Sequence, residues 1–319
     1  MDNKKTCSVS FVGAGYMTSE HLKAFKDVSN VEVRGIFSRT RSRAQALSHE
    51  SGIDAVCDSI AELYERTQSD LLVISVPELS VREVCFEAFK YPWTCLIEKP
   101  AGYDLVDAEQ ILNEAKRLGR QAYVALNRRQ HSSTHLVLKE MNQYEGSRLI
   151  HVYDQEDQIA ARIAGQPELV VKNWMYANSI HLIDYFNTLG RGNIVSVIPV
   201  IHWSPDKPQF VMAKLTYDSG DVGIYEAVWN APGPWAVTVT TQEKRWEMRP
   251  LEQAMVQSYG SRKLDPIKTH EWDHFFKPGL RLQAEEAVKA AMGQPSKLAT
   301  LDDAMKSMKL VQAIYGNGY

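Results

Sequence analysis

Val9-Ser10-Phe11-Val12-Gly13-Ala14-Gly15-Tyr16-Met17-Thr18 decides how this chain is read. A short apolar run meets two glycines one residue apart, and Leu22 and Phe25 then recur at helical spacing. The pattern predicts a buried strand, a tight turn and the first turns of a helix. Gly13 permits the turn, and Gly15 lets a phosphate approach the backbone. The helix start offers N–H groups and a partial positive charge, so the turn reads as a dinucleotide pyrophosphate site. Gly13, Gly15, Tyr16 and Met17 are its candidate contacts, with Thr18 where the motif's third glycine would stand.

Outward from this turn, strand and helix alternate. Strands are predicted at 31–37, 71–76, 95–97 and 122–126, and helices at 41–51, 81–89 and 106–117. Strict alternation predicts an α/β fold, a doubly wound parallel Rossmann sheet over residues 1–126 that binds ligands at the carboxyl ends of its strands. Beyond 127 the rhythm changes. Helices at 133–141 and 176–189 precede four strand-like stretches, 194–202, 209–217, 222–230 and 235–241, and helices at 281–292 and 301–314 close the chain. Residues 127–319 are therefore expected to form an α+β domain with a mostly antiparallel sheet, its last helix free to pack back on the Rossmann domain.

Composition narrows the function classes. The 319 residues carry 36 Lys plus Arg against 39 Asp plus Glu, a net charge of −3, which provides no field for a nucleic-acid partner. With 44% hydrophobic and 24% charged residues the chain reads as globular rather than disordered. The longest apolar runs fall short of the ~18 residues of a membrane span. Residues 4–15 have a basic start and an apolar centre, but the glycines break it and a first strand is the better reading. Cys7, Cys57, Cys85 and Cys95 form no CxxC pair, the usage of reduced thiols in a cytoplasmic protein.

The end of the second strand bears on the choice of dinucleotide. A carboxylate there bonds a ribose 2′-hydroxyl, whereas this chain has Phe37-Ser38-Arg39-Thr40, with Arg41 and Arg43 beyond. A guanidinium pairs with a 2′-phosphate, so NADP is expected, with NAD as the alternative and Ser38, Arg39 and Arg43 as contacts.

Glu98-Lys99-Pro100 follows the strand at 95–97, and Asn178-Ser179-Ile180-His181 lies on the helix at 176–189. Together with Gly13, Gly15 and His21 of the opening turn, Pro77, Lys277-Pro278-Gly279-Leu280 and Gln283, they resemble the glucose–fructose oxidoreductase / inositol dehydrogenase / MocA family over most of the chain. The resemblance implies an NAD(P)-dependent oxidoreductase of sugars or nucleotide-sugars, an open-faced sheet in the second domain, and a homodimer or homotetramer formed through it. It implies Lys99 and His181 as catalytic residues and places Pro77, Glu98 and Lys99 near the cofactor. The chemistry of those residue types agrees. A compact ammonium can stabilise charge on a substrate oxygen, and an imidazole titrates near neutral pH. Two positions depart from the family: Ala177 stands where an Asp is common, and Val81 where a His is common. Asn178 or Asp184 is expected to take over the orienting role. Asn127, Arg128, Trp174, Asn178 and Asp184 are the candidate substrate contacts; for Asn127-Arg128-Arg129, read as contacts to substrate hydroxyls or a phosphate, an interdomain ion pair is the plain alternative.

Two other readings compete. The same fold could serve a non-catalytic dinucleotide-binding regulator or redox sensor, a reading that retention of Lys99 and His181 disfavours. His270-Glu271-Trp272-Asp273-His274 matches HExxH, where a helix would set both imidazoles on one face for zinc and Glu271 would activate water, as in a peptidase. Pro278 shortens that helix and no third ligand follows except the acidic pair Glu285-Glu286, so no metal is expected. His131 and His135 share the i, i+4 spacing and are read as polar-face residues.

Overall fold

The computed structural model describes residues 6–316. It divides into two compact units, 1–127 with 274–305, and 128–273 with 306–319. The first unit thus contains a late segment that a single boundary near 126 would leave in the second, and the last helix is divided at 305/306.

The first unit opens with β1 (Cys7–Val12), α1 (Tyr16–Lys26), β2 (Val31–Phe37), α2 (Arg41–Ser51), β3 (Ala55–Cys57), α3 (Ile60–Thr67), β4 (Leu71–Ile74), α4 (Val81–Ala88), β5 (Thr94–Glu98), α5 (Leu105–Arg117) and β6 (Ala122–Ala125). These six strands are parallel. β1, β4 and β5 are buried along their whole length, which explains their continuous apolar runs: a sheet covered on both faces has no polar side to show. β3 and α3 were not evident from periodicity, because three residues are too few to alternate. The start of α3 did carry a signal. Ser59 Oγ accepts from Glu62 N at 3.0 Å, and Glu62 Oε2 accepts from Asp58 N at 2.7 Å, a capping-box arrangement shifted by one residue.

The second unit contains α6 (Ser132–Met141), β7 (Leu149–Glu156), α7 (Gln158–Ile163), α8 (Glu168–Lys172), α9 (Ile180–Leu189), β8 (Ile194–Ile201), β9 (Phe210–Tyr217), β10 (Val222–Trp229), β11 (Ala236–Thr240), β12 (Lys244–Met248), β13 (Ala254–Ser258), β14 (Asp265–Ile267) and the four-residue α10 (Trp272–Phe275). Its sheet runs β14-β13-β12-β11-β7-β10-β9-β8, antiparallel except for the β7–β10 pair. Ile150, Val152, Asp154 and Glu156 face inward from β7, while His151, Tyr153 and Gln155 alternate with them. α9 packs on β7.

The polar segment near 157–168 is partly helical, since Asp157 caps α7 by accepting from Ala160 N at 2.8 Å. The helix expected at 176–189 begins instead as a π-turn, Met175–Ser179, and becomes α-helical at Ile180. α11 (Leu280–Ala291) and β15 (Ala299–Thr300) return to the first unit, β15 pairing antiparallel with β6, before α12 (Leu301–Tyr315). The first sheet is therefore ordered β15-β6-β5-β4-β1-β2-β3. No described helix is long and apolar enough to cross a membrane. All four cysteines are buried, and burial pushes the Cys95 thiol up to about 12.

Candidate functional site

In the first unit the glycine turn lies at the carboxyl end of β1. Gly13 has φ +112°, and a Cβ there would sit 1.9 Å from Ser75 O, so only glycine fits. Around Gly15 a Cβ would meet nothing within 4 Å, which leaves the backbone open to a bulky group. Gly15 caps α1 without a side-chain hydrogen bond, and the first turn carries no acidic residue. Those uncapped N–H groups suit a phosphate, so a dinucleotide fits the turn. Tyr16 is 68% exposed, Lys277 lies over its ring at 5.2 Å, and Met17 is half-buried.

Lys99 follows β5 at the same edge, since β1, β4 and β5 are parallel neighbours. Glu98 holds this end in place. Its Oε1 is 2.6 Å from Nε2 of buried His21 on α1, and its Oε2 accepts from Lys99 N at 3.2 Å. Lys99 itself is half-buried, and the Lys99–Pro100 peptide is cis. Pro77 is exposed just past β4. At the end of β2, Ser38 Oγ accepts from Thr40 N at 3.4 Å. Arg39 and Arg43 are exposed and pair with no carboxylate among the described residues, whereas Arg41 is bound to Asp58. Asn127 is buried, its Nδ2 donating to Pro278 O at 2.9 Å, within the first unit rather than at an exposed surface.

In the second unit, Trp174 and Asn178 line one cavity of about 550 Å³ with Gln155, Asp157, Gln166 and Trp235. Sequence reading missed Trp235. Its Nε1 donates to Gln155 O at 2.7 Å, and the Arg128 guanidinium lies 4.6 Å over its ring. The loop before it is tightly built. Asn230 Oδ1 accepts from Gln158 N at 2.9 Å, and a Cβ at Gly233, between Pro232 and Pro234, would meet Val228 Cγ2 at 2.3 Å. That Pro-Gly-Pro-Trp run was the available signal. Tyr176, two residues beyond Trp174, is buried in the core.

His181 is 6% exposed on α9. Asp184, one turn on, is committed elsewhere: Arg129 grips both its oxygens at 2.6 and 2.7 Å, and Ser307 Oγ donates to Oδ1 at 2.5 Å. The expected substrate contact is thus an internal ion pair, and the Arg129 pair lies within one unit. A second feature absent from the sequence reading is buried Asp154 beside buried Glu156, whose Oε2 accepts from Asn178 Nδ2 at 2.9 Å.

The HExxH geometry does not form. His270 precedes α10, whose four residues cannot hold an i, i+4 pair, and Asp273 Oδ2 accepts from both Ser132 N and Oγ at 2.7 Å. No group of three His, Cys, Asp or Glu side chains suited to a metal occurs among the described residues. His131 is also not on a polar face. It is 2% exposed, and burial followed by the charge of Arg128 lowers it to about 4. An unfolded His binds its proton near 6.5, so between about 6.5 and 4 the unfolded state is the more protonated. Stability is expected to fall as pH drops through that window. His131→Gln should flatten this part of the melting-temperature profile; a profile superposing on the parent's would sink the assignment.

Residues 7–126 match the sequence model of GFO_IDH_MocA, described as an oxidoreductase family with an NAD-binding Rossmann fold. The chain is 22% identical over 238 residues to 4-carboxy-2-hydroxymuconate-6-semialdehyde dehydrogenase of Sphingobium sp. strain NBRC 103272 / SYK-6, covering 71% of this chain and 73% of that protein. Its fold is similar to levoglucosan dehydrogenase in complex with NADH and levoglucosan (TM-score 0.81, 15% identity, 97% and 96% of the two chains covered). It is also similar to UDP-N-acetylglucosamine 3-dehydrogenase of Acidithiobacillus ferrooxidans (TM-score 0.77, 16% identity, 96% of each chain covered). Residues 7–126 thus match the NAD-binding Rossmann domain of an oxidoreductase family, and the likeness of the chain to the two dehydrogenase structures is one of fold.

Proposed function

We propose that the protein is an NADP-dependent oxidoreductase that interconverts a hydroxyl and a carbonyl on a sugar. The observation that carries this reading is the placement of the open glycine turn and Lys99 at one edge of a single Rossmann sheet. When bound, the dinucleotide supplies the nicotinamide carbon that takes up or returns the hydride. Gly13, Gly15 and the start of α1 hold its phosphates, with Tyr16, Met17, Pro77 and Glu98 flanking it. In the oxidative direction the Lys99 ammonium hydrogen-bonds the substrate oxygen and stabilises its negative charge, while His181 takes the hydroxyl proton. Trp174 and Asn178 bind the sugar, with Arg128 bracing Trp235 behind them. The cavity they line holds one carboxylate, Asp157, and no lysine or arginine, which favours an uncharged sugar over a nucleotide-linked one. Levoglucosan, in the name of one structural neighbour, is an uncharged sugar of this kind, whereas UDP-N-acetylglucosamine, in the name of another, is nucleotide-linked. The sheet face bearing Tyr153, Ile224 and Val228 is the proposed contact of a homodimer or homotetramer.

Ser38, Arg39 and Arg43 are the proposed contacts of the 2′-phosphate. Arg39→Glu is expected to weaken NADP binding by about tenfold to a hundredfold, the loss of a charge-assisted contact, with NAD affinity held or improved. Titration of nicotinamide fluorescence with both dinucleotides, followed by turnover on a panel of uncharged sugars, tests the reading. Equal loss for the two cofactors would remove the 2′-phosphate assignment, and no turnover with any sugar would count against the reaction.

A further inference from the structure

Asp154 and Glu156 stand two residues apart on β7 and face inward together, 1% and 0% exposed. Each has one oxygen supplied with a donor. A directed chain of hydroxyls ends on Asp154: Trp229 Nε1 donates to Tyr315 Oη at 3.3 Å, Tyr315 lies 2.6 Å from Tyr225 Oη, and Tyr225 donates to Asp154 Oδ2 at 2.7 Å. Asn178 Nδ2 supplies Glu156 Oε2. The other oxygens, Asp154 Oδ1 and Glu156 Oε1, are buried and receive no donor among the described residues. Neither carboxyl has a lysine or arginine within ion-pair distance among the described residues.

Two bare carboxylates in such a place would each forfeit hydration and repel one another, whereas a single proton between them satisfies both orphaned oxygens. We propose that Asp154 and Glu156 hold one proton between Oδ1 and Oε1, and that the pair is a positioning device which aims Asn178 into the cavity. With Oε1 carrying the proton toward Asp154, Oε2 is left as an acceptor. The Asn178 amide must then turn its NH2 toward Glu156, leaving its carbonyl oxygen for a substrate hydroxyl. The π-turn Met175–Ser179 that carries Asn178 runs directly into α9 and His181, so its conformation bears on both.

The groups facing the pair are consistent with this. Arg128 from the segment before α6 draws both carboxyls toward ionisation, and the nearby Ser179 hydroxyl of the π-turn pulls the same way, although it makes no hydrogen bond to either orphaned oxygen. Tyr225 of β10 and Tyr315 of α12 are themselves held neutral, pushed well above their ordinary value by burial. Burial outweighs these pulls and raises both acids, Glu156 the further, with Asp154 its next largest cause.

The proton does not depend on the proposed reaction, whereas the effect of Asn178 on turnover does, and the tests keep the two apart. Infrared pH-difference spectra of the whole protein at pH 7 are expected to show a protonated carboxylic acid that disappears in Glu156→Gln and in Asp154→Asn. A native acid ionises later than its unfolded counterpart, so parent stability should fall as pH rises above the ordinary glutamate value of 4.5, and Glu156→Gln should not share that fall. Absence of the band in the parent, its persistence in Glu156→Gln, or superposable stability profiles would overturn the shared proton.

Glu156→Gln retains an acceptor for Asn178 and a donor for Asp154, and should keep both KM and kcat within about twofold. Glu156→Leu should raise KM about tenfold, the value of one hydrogen bond, with kcat changed less. Crystal structures of the two variants read the same point without activity: Asn178 should be rotated in Glu156→Leu and unmoved in Glu156→Gln. An unmoved Asn178 in both would overturn the positioning role even in a protein that turns over no sugar.

Discussion

Lys99→Met is expected to lower kcat by about 10²–10³-fold, the cost of removing one preorganised donor from a developing oxyanion, while the protein still binds NADP. Methionine keeps the length and the apolar stem of lysine and deletes only the ammonium. The backbone that presents it should survive, because its anchor lies elsewhere, in Glu98 held at 2.6 Å by His21 and at 3.2 Å by the Lys99 N–H. Cofactor affinity should also survive, because the proposed seat of the phosphates is Gly13, Gly15 and the start of α1. Steady-state and single-turnover rates, with dinucleotide binding measured separately, check this. A variant with full kcat and a raised KM would show that Lys99 binds substrate without stabilising charge in the transition state.

Arg129→Leu is expected to destabilise the protein by about 3–5 kcal/mol, because it strands a buried anion. Asp184 is 3% exposed and receives Arg129 on both oxygens, so the neutral hydroxyls of Ser307 and Thr188, at 2.5 and 3.5 Å, cannot compensate a full charge. Asp184→Asn should cost less, since Arg129 is partly exposed, its side chain at 17%, and can recover water. Pairing Arg129→Leu with Asp184→Leu should restore much of the loss, as two apolar groups replace a buried ion pair more cheaply than one partner can be removed. Urea unfolding of the three variants gives the comparison. A loss under about 1 kcal/mol for Arg129→Leu, the range of a surface pair, would return Asp184 to the pool of substrate contacts.

How far the molecule could be read from its residues depends on the range of the interaction concerned. The Rossmann sheet was legible because β1, β4 and β5 are buried on both faces, so burial itself wrote continuous apolar runs into the chain. Four strands of the second sheet, β8 to β11, were legible from alternation. β12, β13 and β14 were not: they are five, five and three residues long, and Lys244, Arg245 and Glu247 on β12 mask its inward-facing Trp246 and Met248. The π-turn was invisible as well, since one extra residue in a helical turn leaves the apolar spacing nearly unchanged.

The candidate site divides in the same way. Gly13, Lys99 and His181 could be singled out because each sits in a local pattern of glycine turn, post-strand tripeptide or helix. Asp184 was misassigned because nothing near it in sequence announces Arg129, 55 residues away. His131 was misplaced because spacing describes a helix face, while its neighbours determine whether that face meets water.

The sequence by itself determined the strand–turn–helix that opens the chain, the parallel α/β order of the first domain and the chemistry available at Lys99 and His181. All of these rest on contacts within a few residues, where residue type and spacing set the conformation. Only the tertiary structure decided that residues 274–305 return to the first unit and that Trp235 joins Trp174 and Asn178 around one cavity. It alone placed Asp154 and Glu156 together out of reach of water. These depend on desolvation and on partners far apart in the chain, and both are properties of the packed molecule that no local pattern records.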